Sequence, residues 1–151
     1  MIKYVEIGNI KAEKNFPNIS AHADMKNHSF VTADFATEVT AYATSTTQLT
    51  DNLFLVDNTR VGDLYFDDDA LKQGDKCRLV SLKSLDQLFL DVDGKHINGG
   101  VGSINVGATL GVGINGNLAV IAATTGYAIY FVVTEKITLT EAGVRVQIKV
   151  A

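Results

Sequence analysis

From Tyr127 to the last residue, apolar and polar positions alternate almost without a break. Tyr127, Ile129, Phe131 and Val133 recur at every second position, and so do Val144, Val146, Ile148 and Val150, with Arg145, Gln147 and Lys149 between them. Successive side chains of a strand point to opposite faces, so each run predicts a strand with one buried face. Shorter runs of the same texture lie upstream: FVTADF (30–35), EVTAYAT (38–44), NLFLVD (52–57), GDLYF (62–66), CRLVSL (77–82) and LFLDV (88–92). The stretch 118–133, LAVIAATTGYAIYFVV, reads as two buried strands and a turn, because β-branched and aromatic residues fill it and Thr124, Thr125 and Gly126 interrupt it. A first strand is expected from Ile2 to Ile10.

Turn signals fall between these runs. Asp93-Gly94 and Asn115-Gly116 are the dipeptides of tight hairpins, since both positions tolerate positive φ. A short helical turn is expected at DDDALKQG (67–74), where Asp67, Asp68 and Asp69 suit a helix start and Gly74 a stop. Hardly any other segment carries a helical period, which predicts a compact all-β sandwich or barrel, mainly antiparallel. The 151 residues form one domain with two textures: an N-terminal strand and extended arm over 1–30, and a β body over 31–151. The arm includes KAEKNFPNISAHADMKNHS (11–29), a polar segment with the chain's only proline, Pro17. Its expected place is the surface, as a contact arm whose removal leaves a folded body.

Composition narrows the partners. A chain of this length buries a real core without disulfides, and 46% hydrophobic with 20% charged residues is a globular balance. A net charge of -4 argues against nucleic acid as a partner. Cys77 is the single cysteine, so the expectation is a small packed group and not a nucleophile or metal ligand. The charged, alternating start MIKYVEIGNIKAEKN is neither a signal peptide nor a transit sequence, which points to a cytoplasmic start and no membrane. The stretch 118–133 is also shorter than the roughly 20 apolar residues of a membrane-spanning helix.

Several motifs imitate chemistry. TLGVGINGNL (109–118) carries G-x-G-x-x-G at Gly111, Gly113 and Gly116, with Glu135 downstream as a dinucleotide fingerprint asks. That loop needs a helix start to receive the pyrophosphate, and the residues after Gly116 are strand-like, so no dinucleotide cofactor is expected. A Walker sequence is absent. FLDVDGKHINGG, aligned as a calcium loop on Gly94, puts Phe89 first and Gly100 twelfth, removing two required carboxylates. Asp67, Asp68 and Asp69 are the first place to look for a cation, although successive residues point apart. His22, Asp24 and His28 lack a fourth ligand and a fixed scaffold for zinc. Ser20, His22 and Asp24 cannot fold from one strand into nucleophile, base and orienter. Asp91 and Asp93 have no cleft to separate their acidities. Tyr4, Tyr42, Tyr65, Tyr127 and Tyr130 could stack sugars but more often pack cores. No catalytic, cofactor-binding or metal-binding residue is assigned, and the chain reads as a non-enzyme.

GDKCRLVSL (74–82), INVGATLGVGINGNLAV (104–120) and GYAIYFVVTEKITLTEAGVRVQIKV (126–150) together resemble the C-terminal half of tailed-bacteriophage head decoration proteins, also called cement or auxiliary capsid proteins, some with a β-tulip domain. The resemblance spans about 61–151. It implies a structural protein on the outside of an assembled capsid, bound to the major capsid protein, a homo-oligomer such as a trimer, with no catalytic residue to carry over. The expected location is the virion surface, after assembly in the host cytoplasm. In that setting Met1 to Phe30, with Lys11, Lys14 and Lys26, would contact shell subunits or a neighbouring copy, for instance by adding a strand to an exposed edge. The alternative is a carbohydrate- or receptor-binding module of a fibre or collar.

Overall fold

A computed structural model describes residues 2–4, 13–44, 52–58, 70–138 and 142–151 of the chain. The fold is all-β. Its strands are β1 (Ile2–Tyr4), β2 (Glu13–Ser20), β3 (Met25–Lys26), β4 (Phe30–Asp34), β5 (Val39–Tyr42), β6 (Phe54–Val56), β7 (Ala70–Leu71), β8 (Lys76–Ser81), β9 (Phe89–Asp93), β10 (Thr109–Val112), β11 (Leu118–Val120), β12 (Ile129–Ile137) and β13 (Gly143–Val150). They form a closed barrel in the order β2-β5-β4-β6-β8, a six-stranded sheet in the order β1-β9-β13-β12-β10-β11, and a small β3-β7 pair. The pairings between these described strands are antiparallel except β2 with β5, which meet in parallel at Ser20 and Val39, and an isolated bridge joins Ile97 in parallel to Leu118.

Strands β4, β6 and β8 of the barrel read as short, largely apolar runs because side chains on both of their faces are buried. Phe30, Leu55 and Val80 join the core shared with the six-stranded sheet, where they meet Leu90, Leu110, Phe131, Val146 and Ile148. Their neighbours Val31, Phe54, Val56 and Leu79 turn the other way, into a second cluster with Ile19, Ala21, Met25, Leu71 and Cys77. One strand therefore serves two cores by alternation alone. Phe30 joins the barrel to the six-stranded sheet directly, its ring edge-on to Phe131 at 5.6 Å between centroids. Strands β9, β12 and β13 of the sheet bury mainly one face. Along β13, Val144, Val146 and Ile148 are buried while Arg145 and Gln147 are half-exposed, as the alternation predicts.

Asn115-Gly116 makes the predicted hairpin turn between β10 and β11, with φ of 54° and 73°. Asp93-Gly94 does not. Gly94 opens a 3₁₀ turn to His96, its N–H held by Ala142 O at 3.0 Å, and β9 pairs instead with the distant β1 and β13. The expected helical turn at 67–74 is also corrected over its described part: Ala70 and Leu71 form β7 against β3, and Asp75 Oδ2 accepts the Lys72 N–H to make a polar turn. Asp67, Asp68, Asp69 and the predicted strand 62–66 lie outside the described residues, as do residues 5–10 of the first predicted strand.

The arm is the largest correction. Residues 13–20 are β2, laid along β8 from Glu13↔Val80 to Ser20↔Lys76. Ile19, Ala21 and Met25 are buried in the second core, and Asn27, His28 and Ser29 are buried as well. Asn27 and Ser29 are buried with hydrogen-bond partners, while His28 keeps its Nδ1 buried without one. Asn27 bonds Asn58 in both directions, Nδ2 to O at 2.8 Å and Oδ1 from N at 2.9 Å. Ser29 Oγ donates to Lys26 O at 2.7 Å, and Phe30 N–H to Gly116 O at 2.9 Å. Burial of satisfied polar groups costs little, so composition alone misplaced this segment.

Candidate functional site

Several of the described residues that imitate chemistry are held by structural partners. Gly111 lies under Tyr127, where a Cβ would come 2.7 Å from the ring, and a Cβ on Gly113 would overlap Asn98 Oδ1, which accepts the Ile114 N–H at 2.9 Å. Gly116 meets the barrel: its Cβ would lie 2.9 Å from Ser29 Cβ. The three glycines of the apparent dinucleotide loop are thus places of close approach, with strand β11 following where a phosphate-binding helix would have to begin. Glu135 sits on β12, beside Arg145.

His22, Asp24 and His28 diverge. His22 Nδ1 shares a 2.9 Å hydrogen bond with Thr40 Oγ1, and burial lowers the basicity of its ring. Asp24 accepts the Gln73 N–H at 2.9 Å, which with the nearby Lys72 ammonium holds its carboxyl below the ordinary range. His28 faces Asp57 at 3.2 Å and stacks edge-on with His96, 6.0 Å between centroids, which ties the loop before β4 to the 3₁₀ turn after β9. Ser20 Oγ accepts from Lys76 Nζ at 3.1 Å. No three His, Cys, Asp or Glu side chains gather as a metal set among the described residues. Asp91 takes a two-pronged bond from Arg145, Nε at 2.8 Å and Nη2 at 3.2 Å, on the outward face of the sheet. Cys77 is buried, and burial, helped by Asp75, pushes its thiol up to about 11, which makes it a poor nucleophile. No described helix is long and apolar enough to cross a membrane.

Two surfaces remain. Val106, Ile114 and Val120 are 61%, 69% and 54% exposed, all within the β10–β11 hairpin and the loop leading into it. The second surface is the end of the barrel beneath the β4–β5 hairpin, a groove of about 490 Å³. Strand β4 outruns β6 here: their register stops at Val31↔Phe54, and Asn52 Oδ1 takes the Ala33 N–H at 3.2 Å in place of a strand. Val31 and Ala33 continue as an inward row to Phe35, which is 53% exposed at the mouth and edge-on to Phe54 at 6.3 Å. Asp34 Oδ1 accepts the N–H groups of Ala36 and Thr37, at 2.9 and 3.2 Å, and these bonds depress its carboxyl. Neither surface stands out in the sequence. The readable signals were a large aliphatic, Ile114, directly before Asn-Gly, and an Asp34-x-x-Thr37 turn with an aromatic inside it.

The geometry is that of an all-β body with exposed aliphatic groups in and beside the β10–β11 hairpin. Compared with known proteins, the chain matches no family model, no curated protein and no solved structure.

Proposed function

We propose that the protein is a structural virion component that seats on the outside of an assembled phage capsid through non-catalytic contacts with major capsid protein, and that it does so as a homo-oligomer. The resemblance of residues 61–151 to head decoration proteins motivates this reading. The observation that carries it in the fold is the exposed aliphatic set Val106, Ile114 and Val120 on a hairpin whose turn is pinned to the barrel through Gly116. Large apolar groups held rigidly in water favour association, since covering them releases hydration at little ordering cost. Strand addition has little room at this edge: Asn98 N–H already bonds Leu118 O at 2.7 Å, and Ile97 bridges Leu118. Side-chain packing is the mode that fits.

The test is co-sedimentation with empty capsids, together with native mass measurement. The wild-type chain is expected to pellet with capsids, and Ile114→Asp with Val120→Asp to abolish pelleting while leaving the melting curve in place. A folded wild-type protein that ignores capsids and binds host-surface receptors would replace this reading with the fibre or collar one.

A further inference from the structure

We infer that Asn115 is a site of spontaneous covalent modification, at which the β10–β11 turn closes to a succinimide and reopens as isoaspartate or aspartate. The change retires the hairpin as a capsid contact, a consequence that rests on the seating proposed above.

The chain has two Asn-Gly pairs, Asn98-Gly99 and Asn115-Gly116, and the fold sets them apart. In such a pair the glycine nitrogen attacks the asparagine side-chain carbonyl carbon. The new N–Cγ bond closes a five-membered ring, and the carboxamide nitrogen leaves as ammonia with the amide proton. Water then opens one of the two ring carbonyls, giving aspartate or isoaspartate, and is the only co-reactant. Glycine favours the attack because no side chain crowds its nitrogen.

Backbone geometry decides which pair can react. Asn115 and Gly116 have φ of 54° and 73°, and the Asn117 N–H bonds Ile114 O at 3.1 Å, which is a type I′ turn. Turning over the single peptide plane between them makes it type II′, in which Asn115 has a ψ of about −120°. That rotation brings the Gly116 nitrogen to the side of the Asn115 Cβ, as ring closure requires. The plane carries Asn115 O and Gly116 N–H, and neither belongs to the bonds that hold the turn, Asn117 N–H to Ile114 O and Phe30 N–H to Gly116 O. Asn115 is exposed, and no described residue holds its carboxamide.

Asn98 differs at each point. The Gly100 N–H bonds Ile97 O at 3.1 Å with Gly99 at a φ of 83°, the pattern of a type II turn. Turning its central plane gives type I, with a ψ of about −30° at Asn98, so neither form brings the Gly99 nitrogen beside Cβ. Asn98 Oδ1 is also committed to the Ile114 N–H at 2.9 Å. At Asn115 the products matter for the surface. Isoaspartate adds a methylene to the main chain inside a two-residue turn, and either product sets a carboxylate next to Ile114, which is 69% exposed.

The experiment ages the whole chain in mildly alkaline buffer made with heavy-oxygen water and maps its peptides by mass. Asn115 is expected to gain one heavy oxygen about tenfold faster than Asn98, the factor that one hydrogen bond supplies. Isoaspartyl methyltransferase should label the peptide that contains it. In denaturant, where both turns are lost, the two pairs should convert at similar rates. The aged chain should lose protection of the Phe30 amide and pellet less with empty capsids, whereas Asn115→Gly, which keeps a Gly-Gly turn, should do neither. Faster conversion at Asn98, no conversion at Asn115, or the same ratio in folded and denatured chains would overturn the assignment. Conversion at Asn115 in a chain that ignores capsids even when fresh would remove the seating reading alone and leave the modification site standing.

Discussion

At Gly116 a backbone requirement and a packing requirement coincide. The residue sits at a φ of 73° and its absent side chain leaves room for Ser29 and Tyr42. Gly116→Ala therefore adds left-handed strain to a clash, and is expected to destabilise by about 2–4 kcal/mol in a denaturant titration. Asp34 carries a different residue-scale consequence. Its folded carboxyl is depressed by the Thr37 and Ala36 amides, so the stabilisation it lends to the β4–β5 turn is fully present above the ordinary value of 3.8 and is lost as pH falls through the lower folded value. Faster amide exchange at Ala36 and Thr37 on acidification, once corrected for the intrinsic pH dependence, checks this, and Asp34→Asn should remove most of the change.

Among the elements, β2 decides the status of the N-terminal region. It supplies the neighbour of β8 on one side and of β5 on the other, it buries its own Ile19, and the segment after it buries Ala21 and Met25. Deleting residues 1–28 is expected to unfold the barrel instead of freeing an arm. Loss of the cooperative melting transition in the truncated chain would show it, and a cleanly melting truncated body would argue against the closed barrel. The same element explains why the segment was hard to read. Lys14, Asn15 and Asn18 hide the period-two signal of β2, and its strand character depends on partners about 60 residues away in the chain. By contrast, the β10–β11 hairpin was legible from Asn115-Gly116, because a two-residue turn is decided locally. Asp93-Gly94 has equally good turn chemistry and failed as a hairpin signal, since β9 found its partners elsewhere and Ala142 captured the Gly94 amide.

For the molecule as a whole, barrel and sheet share one core through Phe30, Leu55 and Val80. They should melt as a unit. Phe30→Ala removes the contact with Phe131 and part of both structures' packing, and is expected to cost about 3–5 kcal/mol while keeping a single transition by calorimetry. Two separated transitions would mean that the barrel and the sheet are energetically independent. The candidate surfaces also belong to this scale. Strand β4 runs on past its last pair with β6, Val31↔Phe54, a mismatch that no single segment displays.

The all-β class, the positions of β4 to β6 and β8 to β13, the buried faces of β12 and β13, and the Asn115-Gly116 turn follow from local pattern, because side-chain alternation and turn chemistry act over a few residues. Tertiary structure alone decided that strands divide between a barrel and a sheet, and that Ile19, Ala21, Met25, Asn27, His28 and Ser29 of the polar N-terminal region are buried. Those outcomes depend on which distant backbone and side-chain groups meet, and the polar groups of residues 13–29 carry no record of their partners until the chain has folded.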